Sequence, residues 1–320
     1  MTLTNSSKGL SELIDTELRT PVSRGALAIT NILKTRYGDA VLGILYYGSC
    51  FRSGIEKDGI LDMFVVVDDY RNTYRKSTLA IANKLLPPNV FYCESDFEGD
   101  TLRTKYAVIT LDQFTHRCSS ECFHTFFWAR FAQPTALTYV RDETVRSALV
   151  VSIERAFDTF ITRVMPILPP NFDAQTLWRV GLSESYRTEL RPETPEVSVN
   201  LTKSSAGRYR TLTAIALAER ENIKTIASIN CAEEFIAEIP EGQRWLARQA
   251  WRLRRPHGKL INLLRIIKAA FTFDGGVDYV LWKIERHSGI KVEATPLLRR
   301  HPLLACWPIV WRLYRAGAFR

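Results

Sequence analysis

The chain has 320 residues, 46% apolar and 24% charged, with a net charge of +9. That length buries a sizeable core and suits two domains, and the composition excludes collagen-like and disordered classes. No run approaches the roughly 20 apolar residues that cross a bilayer, so any membrane contact is expected to be peripheral.

Residues 9–37 have helical spacing, interrupted near Pro21. Glu12, Asp15 and Glu17 in the first twenty residues argue against a transit peptide. Val41 to Tyr47 predicts a strand that ends in Gly48-Ser49 and runs into a helix. Ile60 to Val67 is a second strand, rich in β-branched residues, with Asp62 near its start. Tyr74 to Leu86 predicts a helix stopped by Pro87-Pro88. Asn89 to Glu94 and Lys105 to Thr110 predict two more strands, joined by an acidic loop over 95–104. From about Asp112 the pattern is mostly helical, over 112–132, 142–165, 173–182, 206–222 and 231–238. A third zone begins near Gly242. The expected organisation is therefore three spans, 1–115, 116–241 and 242–320.

Charge is unevenly distributed. Residues 244–320 hold 16 Lys+Arg against 4 Asp+Glu, leaving 27 against 30 in residues 1–243. Five of the seven Trp residues also fall there: Trp245, Trp251, Trp282, Trp307 and Trp311. Basic plus aromatic points to a polyanionic surface, either anionic lipid or nucleic acid. Arg299, Arg300, Arg312 and Arg315 flank an apolar run that includes Trp307 and Trp311, a pattern suited to a membrane interface. The six scattered cysteines, with no secretory signal, are expected as free thiols.

The chemistry concentrates in the first two strands. A Gly-Ser turn at a helix start offers backbone N–H groups and a hydroxyl to a phosphate. A carboxylate on the neighbouring strand can hold the metal that neutralises the same phosphates. Polymerase-β-type nucleotidyltransferases use this layout, with a second carboxylate two residues after the first. Here that position is Phe64. Asp68 and Asp69 cannot replace it, since six residues of strand put Asp68 about 20 Å from Asp62 at roughly 3.3 Å per residue. They read instead as a strand end or a helix cap. Lys105 at the opening of its strand suits a triphosphate oxygen. His116, Cys118, Cys122 and His124 lack the C-x2-C spacing of common zinc sites and read as helix residues.

Five segments in order resemble the mitochondrial-type CDP-diacylglycerol synthases, the translocator assembly and maintenance proteins. They are Tyr47-Gly48-Ser49; Asp62 through Asp68-Asp69; Lys105-Tyr106-Ala107-Val108-Ile109; Ala129-Arg130-Phe131 with Pro134; and Tyr186-x-x-Glu189-x-Arg191. The family's pattern also lacks the second carboxylate, whereas Glu189 stands where the family has Asp and Thr188 where it has Gly. The resemblance implies an α/β fold: a polymerase-β-type nucleotidyltransferase domain, then a mainly helical, winged-helix-like domain, and here a basic C-terminal helical region. It implies Mg2+-dependent transfer of CMP from CTP to phosphatidate by a bacterial relative, peripheral on the cytoplasmic face of the inner membrane. Asp62 would hold Mg2+; Gly48, Ser49, Lys105, Arg130, Glu189 and Arg191 would bind the nucleotide. The partners are then CTP, phosphatidate and an anionic membrane surface, with no nucleic acid expected. The alternatives are a nucleotidyltransferase acting on tRNA, a protein or a small molecule, and an inactive adaptor with the same fold.

Overall fold

The computed structural model describes residues 3–56, 59–189, 195–218, 220–227 and 233–272. Helix α1 is Leu3–Leu18 and α2 is Arg24–Tyr37, parted at Pro21. Ser23 caps α2 by accepting from the Ala26 N–H at 3.0 Å. Strand β1 is Val41–Tyr47, the short helix α3 is Gly48–Ser53, and β2 is Leu61–Val67. Then come α4 (Tyr70–Thr73), α5 (Ser77–Leu85), β3 (Asn89–Phe97) and β4 (Asp100–Thr110). Helices α6 (Leu111–Cys118) and α7 (Phe126–Phe131) lead to β5 (Thr135–Val140) and the long α8 (Glu143–Val164). The remainder is β6 (Asn171–Asp173), α9 (Ala174–Tyr186), α10 (Pro195–Ser204), α11 (Ala206–Ala218), β7 (Ile223–Ala227), β8 (Glu233–Ala237) and α12 (Glu241–Thr272).

The fold is mixed α/β. Five strands form a mixed sheet in the order β3-β4-β2-β1-β5, and three form an antiparallel sheet in the order β6-β8-β7. The chain divides into two compact units. One contains Ser23–Val41, Tyr46–Ile109 and the end of α12 from Leu264; the other contains α1, Leu42–Leu45 and Thr110–Leu263.

In the sheet-bearing unit, β2 is buried along its whole length except at Asp62, as a central strand covered on both faces must be. Its β-branched and aromatic residues pack there: Phe64, Val65, Val66 and Val67 are each 0% exposed. Strands β3 and β4 form a continuous antiparallel hairpin from Asn89↔Val108 to Phe97↔Asp100. The acidic segment 95–104 is therefore strand rather than loop. Its polar residues alternate with buried Leu102 and Thr104, and Glu98 (φ 53) with Gly99 (φ 85) makes the two-residue turn that matches strand twist. Lys105 consequently lies mid-strand, opposite Tyr92.

In the helical unit, α1 packs on α8 and α11. Asp142 caps α8, accepting from the Val145 N–H at 2.9 Å. Phe160, Trp178 and Tyr209 form a stacked column with centroids 4.6 and 4.1 Å apart, and the Trp178 indole donates to Thr213 Oγ1 at 2.9 Å. Gly181 makes room for it: a Cβ there would lie 2.4 Å from Phe160 Cζ. The helix expected over 112–132 breaks after Cys118, where the Ser119 hydroxyl turns back to the His116 carbonyl at 2.8 Å. The helix expected over 231–238 is not formed by its described residues, 233–238. Glu233–Ala237 is β8, with Phe235 and Ala237 buried in alternation and paired on both sides. The helix expected to reach 222 ends at Ala218, and β7 follows.

Candidate active site

The sheet-bearing unit brings three of the expected residues together. Gly48 opens α3 with φ +92, a conformation that favours glycine. A Cβ on Gly48 would lie 2.7 Å from Asp62 Oδ2, so the missing side chain lets α3 meet the β2 carboxylate. Asp62 is the half-buried exception in an otherwise buried strand. Lys105 Nζ lies 3.1 Å from Asp62 Oδ1, with the two side chains 37% and 20% exposed. The pair is thus open to a ligand. The neighbouring backbone is pinned by the buried Thr104 hydroxyl, which donates to the Leu61 carbonyl at 2.8 Å. Ser49 is exposed on the first turn of α3.

Cys50 holds α3 against the entry to β2: its thiol donates to the Ile60 carbonyl at 3.1 Å. Burial pushes that thiol's pKa up, and the Asp62 charge adds to the effect. Phe64, two residues after Asp62, is core: it packs against Tyr47 with ring centroids 5.6 Å apart. Asp68 and Asp69 are local. Asp69 caps α4 through the Arg71 N–H, and Asp68 accepts from the Asn72 amide at 3.1 Å.

One acidic residue escaped the sequence reading. Glu56, in the connection between α3 and β2, accepts from Tyr46 Oη at 3.2 Å and from the Ser23 hydroxyl. Gly25 admits it to the first turn of α2. Burial raises the Tyr46 phenol's pKa, and the charges of Glu56 and Asp62 both push in the same direction. Glu56 sits in a polar connection without periodicity, so only its position after the Gly-Ser turn could have flagged it. A cavity of about 440 Å³ opens beside it, lined also by Phe97, Leu102 and Arg103; Asp62 and Lys105 do not line it.

The helical unit brings a second pair together. Arg130, at the end of α7, has its guanidinium 4.6 Å from the Phe126 ring centroid and 3.9 Å from Glu189 Oε1. Both side chains are partly exposed. Thr188 is buried, bonded to Thr125 Oγ1 at 2.7 Å, and lies against Gly258 of α12. Arg191 lies outside the described residues, as do Arg299, Arg300, Trp307, Trp311, Arg312 and Arg315.

The expected metal can be tested on the donor set. Among the described residues no three His, Cys, Asp or Glu side chains cluster so as to hold an ion. Asp62 therefore offers one carboxylate, and the ammonium of Lys105 already marks a place beside it where positive charge is favourable. This fits Mg2+, which commonly takes one or two carboxylates and fills its shell with phosphate oxygens and water. Cys118 is buried at the end of α6, whereas Cys122 and His124, expected as helix residues, are buried in the connection to α7, where the Cys122 thiol donates to the His124 carbonyl at 3.5 Å. Among the described residues no helix is long and apolar enough to cross a membrane. No family model matches the chain, and no curated protein matches it in sequence.

Proposed function

We propose that the chain is a phosphatidate cytidylyltransferase, making CDP-diacylglycerol and pyrophosphate from CTP and phosphatidate at a membrane surface. The observation that carries this reading is the convergence of Gly48, Asp62 and Lys105 at the junction of β1, α3 and β2. A polymerase-β-type domain is supported by the order strand, Gly-Ser, helix, strand with its carboxylate. A winged-helix-like domain is supported by the run α8, β6, α9, α10, α11, β7, β8 and by the sheet order β6-β8-β7. The bacterial setting on the cytoplasmic face of the inner membrane follows from the family resemblance.

In the proposed reaction a phosphate oxygen of phosphatidate attacks the α-phosphorus of CTP in line. The bond to the β-phosphate oxygen breaks and pyrophosphate leaves with its electron pair. The nucleophile is already an anion, so little general-base help is needed. The barrier is the mutual repulsion of two polyanions and their positioning.

Each residue has a corresponding task. Asp62 would hold the nucleotide's magnesium ion, which supplies charge neutralisation and polarises the phosphoryl oxygens. Because α3 has only six residues, its hold on phosphate rests on individual N–H groups and on the Ser49 hydroxyl rather than on a helix dipole. Lys105 exchanges its contact with Asp62 for a phosphate oxygen. For Arg130, Glu189 and Arg191 a nucleotide-binding role is what the family resemblance implies.

The test is Asp62→Ala. We expect loss of CTP turnover with an unchanged circular dichroism spectrum and melting temperature. A folded Asp62→Ala protein with near-normal turnover would overturn the assignment.

A further inference from the structure

Helix α3 cannot hold itself in place. Six residues make little more than one turn, and a single turn does not repay the entropy of fixing it. Its position is therefore set by contacts from outside. At its N-terminal end Gly48 meets Asp62. In the middle the Cys50 thiol donates to the Ile60 carbonyl, and Gly59 packs directly against that sulfur. The rings of Phe51 and Tyr46 meet edge to face with centroids 5.4 Å apart. Gly54 caps the helix end, its N–H donating to the Cys50 carbonyl at 2.9 Å.

Just past that cap the chain returns to where it left the sheet. Glu56 Oε1 accepts from Tyr46 Oη at 3.2 Å, so a bond between side chains ten residues apart closes a loop around Gly48-Ser49. The same oxygen accepts from the Ser23 hydroxyl, whose oxygen in turn accepts from the Ala26 N–H in the first turn of α2. Hydrogen bonds to a carboxylate are roughly twice as strong as neutral ones. Tyr46 is buried, and burial pushes its phenol's pKa up, so it stays a donor at neutral pH. Glu56 Oε2 lies against Gly25, where a Cβ would collide with it. One carboxylate thus ties β1, the start of α2 and the chain leaving α3 to one another.

We infer that Glu56 is a positioning residue: through Tyr46 and Ser23 it holds the Gly48-Ser49 turn where the turn's N–H groups and the Ser49 hydroxyl can meet a phosphate. The inference rests on the cytidylyltransferase reading for the identity of that phosphate alone. Glu56 acts on the turn rather than on the reacting groups, since its own partners are the hydroxyls of Tyr46 and Ser23. A brace for the whole unit would have different consequences. The core of this unit lies at β2, where Phe64, Val65, Val66 and Val67 are fully buried, and Glu56 is half-buried outside that strand. Losing Glu56 should therefore release the turn and leave the sheet. A turn displaced by about 1 Å lowers the rate about 10²-fold without any change in the reacting groups.

The test is amide hydrogen exchange of the full chain, read on α3 and on β2, beside CTP turnover with phosphatidate vesicles. Glu56→Ala removes the acceptor, Tyr46→Phe removes only a hydroxyl, and Glu56→Gln keeps an acceptor oxygen without the charge. We expect the α3 amides to exchange about tenfold faster in Glu56→Ala and in Tyr46→Phe, with β2 unchanged. The loss of turnover should fall on kcat, about 10²-fold in Glu56→Ala, with KM for CTP within about threefold. Glu56→Gln should recover most of it. Tyr46→Phe/Glu56→Ala should be no slower than Glu56→Ala, because both changes cut one link. Unchanged α3 exchange in Glu56→Ala and Tyr46→Phe would overturn the proposal. So would equal loosening of β2, the mark of a general brace, or a released turn with normal kcat. A wild-type protein that turns over no CTP removes the cytidylyltransferase reading, and exchange then decides the hold on the turn by itself.

Discussion

The sheet-bearing unit and helix α12 treat charge in opposite ways. In the sheet, apolar residues go inward and one carboxylate, Asp62, breaks the burial of β2 to meet Lys105 at 3.1 Å. In α12 the inward positions are Arg244, Trp251 and Arg254, and leucines face out. The buried arginines are tolerable because Arg244 donates to three carbonyls, while Arg254 donates to one and lies over two aromatic rings. The difference teaches that a departure from inside–outside order has a physical cause in each place. On β2 one carboxylate is left half-buried beside a cation; on α12 a row of leucines is left exposed.

The largest effect that would break the comparison concerns Lys105. A partly exposed ion pair of this kind contributes modestly to stability, so Lys105→Met should keep the fold. Losing a preorganised cation on a transferring phosphate should cost roughly 10²–10³ in turnover. A thermal melt and a turnover assay on the same preparation separate the two. Gly48→Ala tests the closeness of α3 and β2. It forces a positive φ on alanine and drives a Cβ toward Asp62 Oδ2, so both activity and stability should fall, the latter by about 1–3 kcal/mol. Urea unfolding followed by turnover measures each.

Gly181→Ala sharpens the contrast from the helical unit. Its Cβ would lie 2.4 Å from Phe160 Cζ, and over-packing of this kind costs about 1–3 kcal/mol. Turnover per folded molecule should be unchanged, since Gly181 belongs to the core column and not to the reacting groups. The smallest effect is at Asp142. The hydrogen bond from the Val145 N–H holds its carboxyl below the ordinary aspartate value. Its stabilisation is therefore full above that value and lost as the pH falls through the lowered one. The stability difference between wild type and Asp142→Ala, followed by melts from pH 7 downward, should shrink in acid.

Much of the sheet site was legible in the sequence. Gly-Ser after a strand, and a carboxylate at the start of the next, specify their own neighbourhood through strand geometry. Lys105 was legible as a candidate but not as a mid-strand residue, because its polar neighbours over 95–104 hide the hairpin's alternation. The strand β8 was hidden for a related reason: five residues are too few to tell a strand period from a helical one. Strand β5 and Glu56 left no local signal. The inversion of α12 could not be read at all. Arginine in a helix normally means solvent, and of the carbonyls that accept from Arg244 and Arg254, those of Leu168 and Phe123 are far away in sequence.

The central claim is that Asp62 and Lys105 serve CMP transfer to a lipid phosphate. Pyrophosphate release tests it most directly, measured with each of ATP, CTP, GTP and UTP in Mg2+, with and without phosphatidate vesicles. The account predicts release only with CTP and only when phosphatidate is present, abolished in Asp62→Ala. Release that ignores phosphatidate, prefers another nucleotide, or survives Asp62→Ala would contradict it.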